Sequence, residues 1–352
     1  MKAVIFPGSG VVELVEKPEP ELGPNEVLLG MRAAGVCGSD LHFMEASAEE
    51  QRHSKLGKGL DREPSVTPGH EMAGVIEAVG EHVTRFRVGD RVTVHHYSGC
   101  GACRSCRMGW DTLCANKEVY TLKRDGGFQD KVAVKEQDCV AIPDQLSFSD
   151  AAFIACGAGT SFQALRRGEV KAGDTVATVG LGPVGLSGLL WAQAMGCRTI
   201  GLDTNESRRS FAATFGVDHM LDPLNPDLLE QIDEITGRGG ADVTLETAGN
   251  SPGRRLALDV TRVWGTAVFI SFGGSCEIDA PQQLVQRQLT LRGSWMFSMS
   301  TLIDALQLAA DREIPFSRVV TNRCVIEDAP EAILAFAAGG NGKIIIEWEH
   351  SA

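Results

Sequence analysis

The chain has 352 residues, 43% hydrophobic and 22% charged, with a formal net charge of −13, which allows two domains with sizeable cores and excludes a disordered chain. The acidic balance argues against nucleic acid or an anionic membrane as partner, and no apolar run is long enough to span a bilayer. The opening MKAVIFPGSG breaks at Pro7-Gly8 without the apolar length of a signal peptide, so a cytoplasmic location is expected, where ten cysteines point to metal ligation more than to disulfides.

The first 150 residues read as β-rich. Short apolar runs at 4–6, 11–15, 27–31, 75–79, 92–95 and 132–134 are strand candidates, punctuated by pairs such as Gly23-Pro24, Pro68-Gly69 and Gly126-Gly127. That pattern predicts a small, partly open β-barrel. Two polar clusters stand beside glycines in it, GVCGSDLH over 35–42 and GHE over 69–71. Cys37, Ser39, Asp40, His42, His70 and Glu71 together form a metal-competent set, and Cys with His suits zinc. Each residue alone reads equally well as a buried thiol or a satisfied histidine; their co-occurrence makes the site a candidate. The stretch 43–68 between the clusters is polar and long for a structureless connection, and both a functional lid and a plain solvated insertion fit it.

Residues 100–114 read CGACRSCRMGWDTLC, with Cys100, Cys103, Cys106 and Cys114 spaced by three, three and eight. Four thiolates so placed close a tetrahedral shell around one zinc and leave no position for water, the mark of a structural site. An iron–sulfur cluster is the rival, but its plant-type spacing of three close cysteines and a distant fourth differs.

Residues 151–165 predict an apolar, small-residue helix carrying Cys156, which leads into the stretch DTVATVGLGPVGLSGLLWAQAMGCRTIGLD over 174–203. Here a β-branched run is followed by Gly180-Leu181-Gly182-Pro183-Val184-Gly185, a run of helical length, and a second strand ending in Asp203, 18 residues past the last glycine. Strand, glycine turn, helix and strand-end acid in this order predict a dinucleotide site, with the pyrophosphate over the helix N-terminus. Asp203 favours NAD by bonding an unphosphorylated ribose, while Arg208 and Arg209 keep NADP as the alternative. Strands are predicted at 175–179, 199–203, 218–221, 242–246, 266–271 and 289–293. Helices are predicted at 184–195, 205–215, 226–236 and 252–263, with a short one near 281–287. Together they make an α/β doubly wound parallel sheet. Beyond residue 293 a helix near 299–310, an extended piece at 314–320, a helix near 329–338 and a strand at 343–348 are expected.

The ordered set GVCGSDLH, GHE, the four-cysteine stretch, ACGAGT and GLGPVG resembles the zinc-dependent medium-chain alcohol dehydrogenases, with polyol, sorbitol, butanediol and threonine dehydrogenases among its members. The resemblance implies a GroES-like β-rich catalytic domain of residues 1–155 and 298–352, with a structural-zinc lobe at 96–116, and a Rossmann NAD-binding domain of residues 156–297. It implies two zinc ions per chain: a catalytic one on Cys37, His70 and Cys156 with the fourth position open, and a structural one on the four cysteines. By the same resemblance Glu71 is the acid beside the zinc, Ser39 the hydroxyl touching the substrate oxygen and His42 the outer end of a proton relay. Asp40 orients His70, Thr160 packs against the nicotinamide and Lys343 faces the cofactor pyrophosphate. A homo-oligomer, dimer or tetramer, is also implied.

The chain departs from common members in its long 42–70 connection. Butanediol-dehydrogenase-like members of similar length often replace the third ligand by Glu, where this chain has Cys156. His96 stands where ethanol-type enzymes have an aromatic pocket wall, with Phe43, Trp110 and Trp295 nearby by analogy. The function so implied is hydride transfer between a secondary alcohol, polyol or sugar-derived alcohol favoured, and NAD. A simple secondary alcohol or vicinal diol is the runner-up substrate. A zinc-free quinone or alkene reductase and a non-enzymatic NAD- or zinc-binding protein are the readings from other classes.

Overall fold

The computed structural model describes residues 1–53, 61–339 and 342–348, and it divides into two compact units, Met1–Cys156 with Phe297–Ala352, and Gly157–Met296. The first unit is the β-rich one, with β1 (Lys2–Gly8), β2 (Val11–Glu16), β3 (Glu26–Val36), β4 (Glu71–Val79), β5 (Arg91–Val94), β6 (Tyr97–Ser98), β7 (Glu118–Val119), β8 (Lys131–Lys135) and β9 (Cys139–Ala141). The second holds β10 (Thr175–Val179), β11 (Arg198–Leu202), β12 (His219–Leu221), β13 (Ala241–Glu246), β14 (Thr261–Phe269) and β15 (Thr290–Gly293). The chain then returns to the first unit for β16 (Val320–Cys324) and β17 (Lys343–Glu347).

β3 is the organising strand of the first unit. Its main sheet runs β16-β17-β3-β4-β5-β9, with β8 also on β3. One edge of β3 pairs β4 throughout; the other is shared, residues 26–30 facing β8 and residues 33–36 facing β17. The ladder slips between Met31 and Ala33, where the partner changes, and such bulges bend a strand and let a sheet curl toward closure. This is the expected GroES-like, β-rich fold. The antiparallel register pairs Gly35 with Glu71, and Ile344 lies opposite Val36. Three strand ends, the exit of β3 and the entries of β4 and β17, therefore meet at one place.

The second unit is a six-stranded parallel sheet in the order β12-β11-β10-β13-β14-β15, the expected Rossmann arrangement. Every residue of β10 and β13 is buried, as expected of central strands covered on both faces, and the buried set includes the polar Thr175, Thr178, Asp242, Thr244 and Glu246. Ala177, Val179, Ile200, Leu202, Leu228, Ile232 and Ala257 form the core on one face. Each fully buried Val, Leu or Ile side chain there contributes roughly 1.5–3 kcal/mol relative to exposure.

Several local expectations are corrected. The segment 38–45, with no helix predicted, is a helix (Gly38–Glu45) whose backbone start is capped by Asp40. The 43–68 stretch is less open than a structureless connection: it holds a helix, Ala48–Arg52, opened by a Ser47–Glu50 capping box. Buried Arg62 pins its far end to carbonyls of Thr121, Phe6 and Val66 and to Gln51. Residues 54–60, with Lys55 to Gly59, lie outside the described residues. The helix expected at 252–263 ends at Asp259, because Thr261 already begins β14. Trp264, at φ +61°, sits in an irregular start of that strand. The piece at 314–320 is a turn of 3₁₀ helix, Phe316–Val319, before the edge strand β16, whose polar TNR centre hides it from an apolar pattern.

Candidate active site and metal centres

Cys37 leaves β3 and starts the helix Gly38–Glu45, while His70 precedes and Glu71 begins β4. Cys156 arrives from elsewhere, in a π-helical turn, Ile154–Ala158, set between the α-helices Phe148–Phe153 and Gly159–Gly168. The sequence predicted one unbroken helix there. A π turn carries an extra residue per turn and recurs at functional sites. Ligand-type atoms of Cys37, His70, Glu71 and Cys156 all lie within 4.8 Å of one another, and all but Cys37 are buried.

The surroundings orient this set. Asp40 Oδ2 accepts the Cys37 N–H at 2.8 Å, and Asp40 Oδ1 lies 3.3 Å from His70 Nδ1. That fixes the imidazole with Nε2 toward the cluster, where Ser39 Oγ stands 3.4 Å away. Burial works against a charged His70, yet Asp40 and Cys37 hold its pKa well above the ordinary value. Cys37 is drawn well below a normal thiol, first by a hydrogen bond from Cys156, then against burial by Lys343 and His70. Burial pushes the Glu71 carboxyl up to about 7, opposed by Lys343.

Lys343 has a partner that the sequence reading did not foresee. Its ammonium, 2% exposed, donates to Glu71 Oε1 at 2.6 Å and lies 5.4 Å from the Phe153 ring centre; what it faces in this unit is the acid of the donor set. Glu71 Oε2 has no hydrogen-bond partner among the described residues. An orphaned buried oxygen beside two thiols and an imidazole is the chemistry of a cation site. His96 packs its ring 4.7 Å from that of His70 and 4.7 Å from Tyr97. Its buried Nδ1 has no partner among the described residues, and burial together with His70 keeps it neutral, its pKa well below the usual value. His42 is exposed on the helix Gly38–Glu45, three residues past Ser39 and so on the same helical side.

The four-cysteine set also comes together, with the sulfurs of Cys100, Cys103, Cys106 and Cys114 within 4.8 Å of one another. Gly101 and Gly109, at φ +69° and +79°, turn the chain around it. N–H groups of Ala102 and Cys103 draw the Cys100 thiol down to about 6, while burial and Cys103 push Cys106 up to about 12. All ten cysteines are free of disulfides. Four sulfurs and no other donor make a closed shell; the first set, mixed in S, N and O, does not.

In the second unit the three glycines differ in role. Gly180 turns at φ +96° against Ala248; Gly182 opens to free space where its Cβ would be; a Cβ on Gly185 would collide with the Gly180 carbonyl. Gly182 caps the helix Pro183–Ala194 without a side-chain hydrogen bond, so no capping side chain takes up the N–H groups that follow Pro183. Asp203, at the tip of β11, accepts N–H bonds from Leu181 at 2.7 Å and Asn205 at 2.8 Å. Arg208 reaches it at 3.7 Å, while Arg209 is committed to the Asp203 carbonyl and to Asp222. Thr160 is half-buried at the second position of the helix Gly159–Gly168. The sequence reading missed Thr247, whose hydroxyl bonds the carbonyls of Val179 and Gly180 at 3.0 and 2.6 Å, and Glu246 beside it. The available signal was an acid ending an apolar strand, the same cue that singled out Asp203.

A thiol–imidazole–carboxylate set in one unit and a glycine turn on a doubly wound sheet in the other define an oxidoreductase of the metal- and dinucleotide-dependent kind. Residues 23–144 match the alcohol dehydrogenase GroES-like domain family and residues 183–311 the zinc-binding dehydrogenase family. The chain is 37% identical over 352 residues, 99% of both chains, to the zinc-type alcohol dehydrogenase-like protein YphC of Escherichia coli. It is 30% identical to the sorbitol dehydrogenase of Bacillus subtilis, over 95% of this chain and 92% of that one. Among solved structures, a zinc-binding dehydrogenase from Sinorhizobium meliloti bound to NADP superposes with a TM-score of 0.87 at 28% identity, covering 99% of each chain. The chain therefore belongs to the zinc-type medium-chain alcohol dehydrogenase family, as an oxidoreductase acting on alcohols. No helix among the described residues is long and apolar enough to cross a membrane.

Proposed function

We propose that the protein transfers a hydride between a secondary alcohol, a polyol or sugar-derived alcohol in particular, and NAD. The convergence of Cys37, His70 and Cys156 beside Ser39 carries this reading. Cys37, His70 and Cys156 would hold the catalytic zinc, with Glu71 as the neighbouring acid, and Cys100, Cys103, Cys106 and Cys114 a structural one. Zinc held at the first site supplies Lewis acidity toward an alcohol oxygen, and a nicotinamide ring supplies the hydride acceptor.

The chain's own residues do the rest. Asp40 keeps His70 in the ligating tautomer. Ser39 Oγ takes the hydroxyl proton, and His42, on the same helical side, passes it to solvent. Gly180, Gly182, Pro183, Val184 and Gly185 give the pyrophosphate a turn and a helix N-terminus, and Asp203 takes the adenosine ribose. Thr160 packs against the nicotinamide. The orphaned Nδ1 of His96 supports the polyol reading, since it offers an acceptor to a second hydroxyl of the substrate. Lys343 serves as counter-charge to Glu71, and contact with the pyrophosphate is its second proposed role.

Ten free thiols fit a reducing cytoplasm. The open edge of β15, with exposed Trp264 and Val285 on neighbouring segments, supports a homo-oligomer. The deciding experiment is NAD⁺ reduction across polyols, sugar alcohols, amino alcohols, vicinal diols and simple secondary alcohols, with zinc analysis of the same preparation. Turnover strongest with polyols is expected. Best turnover with a simple alcohol or a vicinal diol would replace the substrate class, and turnover only with quinones or alkenes would replace the reaction.

A further inference from the structure

The second unit carries an ion pair that the proposed reaction does not use. Glu246 ends β13 and is fully buried. Its Oε1 accepts the Gly249 N–H at 2.7 Å, and its Oε2, without a hydrogen-bond partner among the described residues, faces Arg254 Nε at 3.7 Å. Arg254 stands on the helix Ser251–Asp259 that follows β13. The other side of its guanidinium reaches the loop after β14, where Nη1 donates to the Gly274 carbonyl at 2.6 Å and Nη2 to the Ser271 carbonyl at 2.9 Å. One planar cation therefore ties two loops together, through a carboxylate on one side and two carbonyls on the other.

The position of those loops gives the tie its meaning. The strand order turns back between β10 and β13, so the ligand crevice opens at the carboxyl ends of that pair. Asp203 and the glycine turn lie on the β10–β11 side, where adenosine ribose and pyrophosphate are read. The loops after β13 and β14 lie on the opposite side and are left to the nicotinamide half. Both are glycine-bearing: Gly249, Gly273 and Gly274 sit at φ +71°, +93° and +60°. Such backbone keeps little shape by itself, and fixing it costs roughly 1–2 kcal/mol per residue. The loop after β13 is joined to the glycine turn by Thr247; the loop after β14 is joined to that assembly by Arg254.

We propose that Arg254, held by Glu246, is a positioning residue for the nicotinamide half of the dinucleotide. It sets the loops after β13 and β14 without touching the cofactor. The proposal rests on the dinucleotide lying at the Gly180–Gly185 turn.

The test is equilibrium binding of NADH and of ADP-ribose, which lacks the nicotinamide, to the full zinc-loaded chain. Arg254→Met should raise the Kd for NADH roughly tenfold, the size of one misplaced ligand hydrogen bond, and leave that for ADP-ribose unchanged. Arg254→Lys, which keeps the charge and loses the fork, should fall between. Glu246→Gln, which retains the acceptor for Gly249, should show the same split at smaller size and serves if Arg254→Met does not fold. Equal weakening of both ligands would mark a general structural role and overturn the proposal, as would no change in either. Gly185→Val separates the underlying reading: it should lose both ligands. If it binds NADH like the wild type, the dinucleotide lies elsewhere and both readings fail.

Discussion

Gly35 and Glu71 face each other across the β3–β4 ladder, and Glu71 occupies the space where a side chain on Gly35 would be. A Cβ there would fall on Glu71 Oε2 and come within 3.0 Å of Lys343 Cε. Gly35→Ala should therefore displace the carboxylate, destabilise the protein by about 1–3 kcal/mol as overpacked cores do, and lower zinc content at the Cys37 site only. Calorimetry with metal analysis checks this; wild-type melting and zinc would show that Glu71 has room to move.

Asp203 should make NAD the better cofactor, because a ribose 2′-phosphate beside a carboxylate is repelled. A kcat/KM ratio of roughly ten- to a hundredfold in favour of NAD⁺ over NADP⁺ is expected. Asp203→Ser should narrow that ratio, leaving Arg208 to attract the phosphate. Preference for NADP⁺ in the wild type would show that Arg208 already outweighs the acid.

Two zinc ions per chain are expected by elemental analysis. Cys103→Ser should remove one, and a loss of 2–4 kcal/mol would lower Tm by roughly 5–10 °C. Cys37→Ser should remove the other and abolish turnover while the fold melts near the wild-type temperature. One zinc in the wild type, or iron, contradicts the assignment.

His42→Ala should keep zinc and NADH affinity and slow alcohol oxidation roughly tenfold below about pH 8, where hydroxide is too scarce to replace it. Added imidazole should restore part of the rate. Loss of zinc would make His42 a ligand, and an unchanged pH profile would send the proton by Glu71 or His96 instead.

The zinc-free protein should show a pH signature of Glu71. Its carboxyl rises from the ordinary 4.5 to about 7 on folding, so the folded chain keeps a proton that the unfolded chain has released. Stability then falls as pH rises through that window. His70, raised above its ordinary 6.5, adds stability that is lost only at higher pH. Urea unfolding in the presence of a chelator should show the first slope in the wild type and a flatter one in Glu71→Gln. An equal slope in the variant would assign it to another group.

Much of this was legible in the sequence because the relevant signals are local. The four cysteines announce themselves within 15 residues, and the strand–glycine turn–helix–strand run needs no partner to be read. Cys37 and His70 could be grouped by their co-occurrence, but Cys156 joined them only by resemblance, since it arrives in a π turn far along the chain. Lys343 facing Glu71 depends on a strand from the far end of the chain settling beside β3. The helix after Cys37 escaped because cysteine is a poor capping signal, although Asp40 three residues on was the closing half of the cap. The π turn around Cys156 leaves no mark in an apolar, small-residue run. Glu246 was passed over because a strand-end acid counts as a cue only when a glycine turn points to it.

The place of β17 also sets an order of assembly. It is an interior strand of the first sheet, between β16 and β3, yet it is synthesised after the whole second unit. Until it emerges, part of β3 presents a bare ladder of N–H and C=O groups, and Glu71 lacks its ammonium partner. The second unit meets no such delay, for its sheet closes from a contiguous stretch. On the ribosome the parallel sheet is thus able to mature while the metal-bearing unit is held half-built, its sticky edge exposed to other nascent chains.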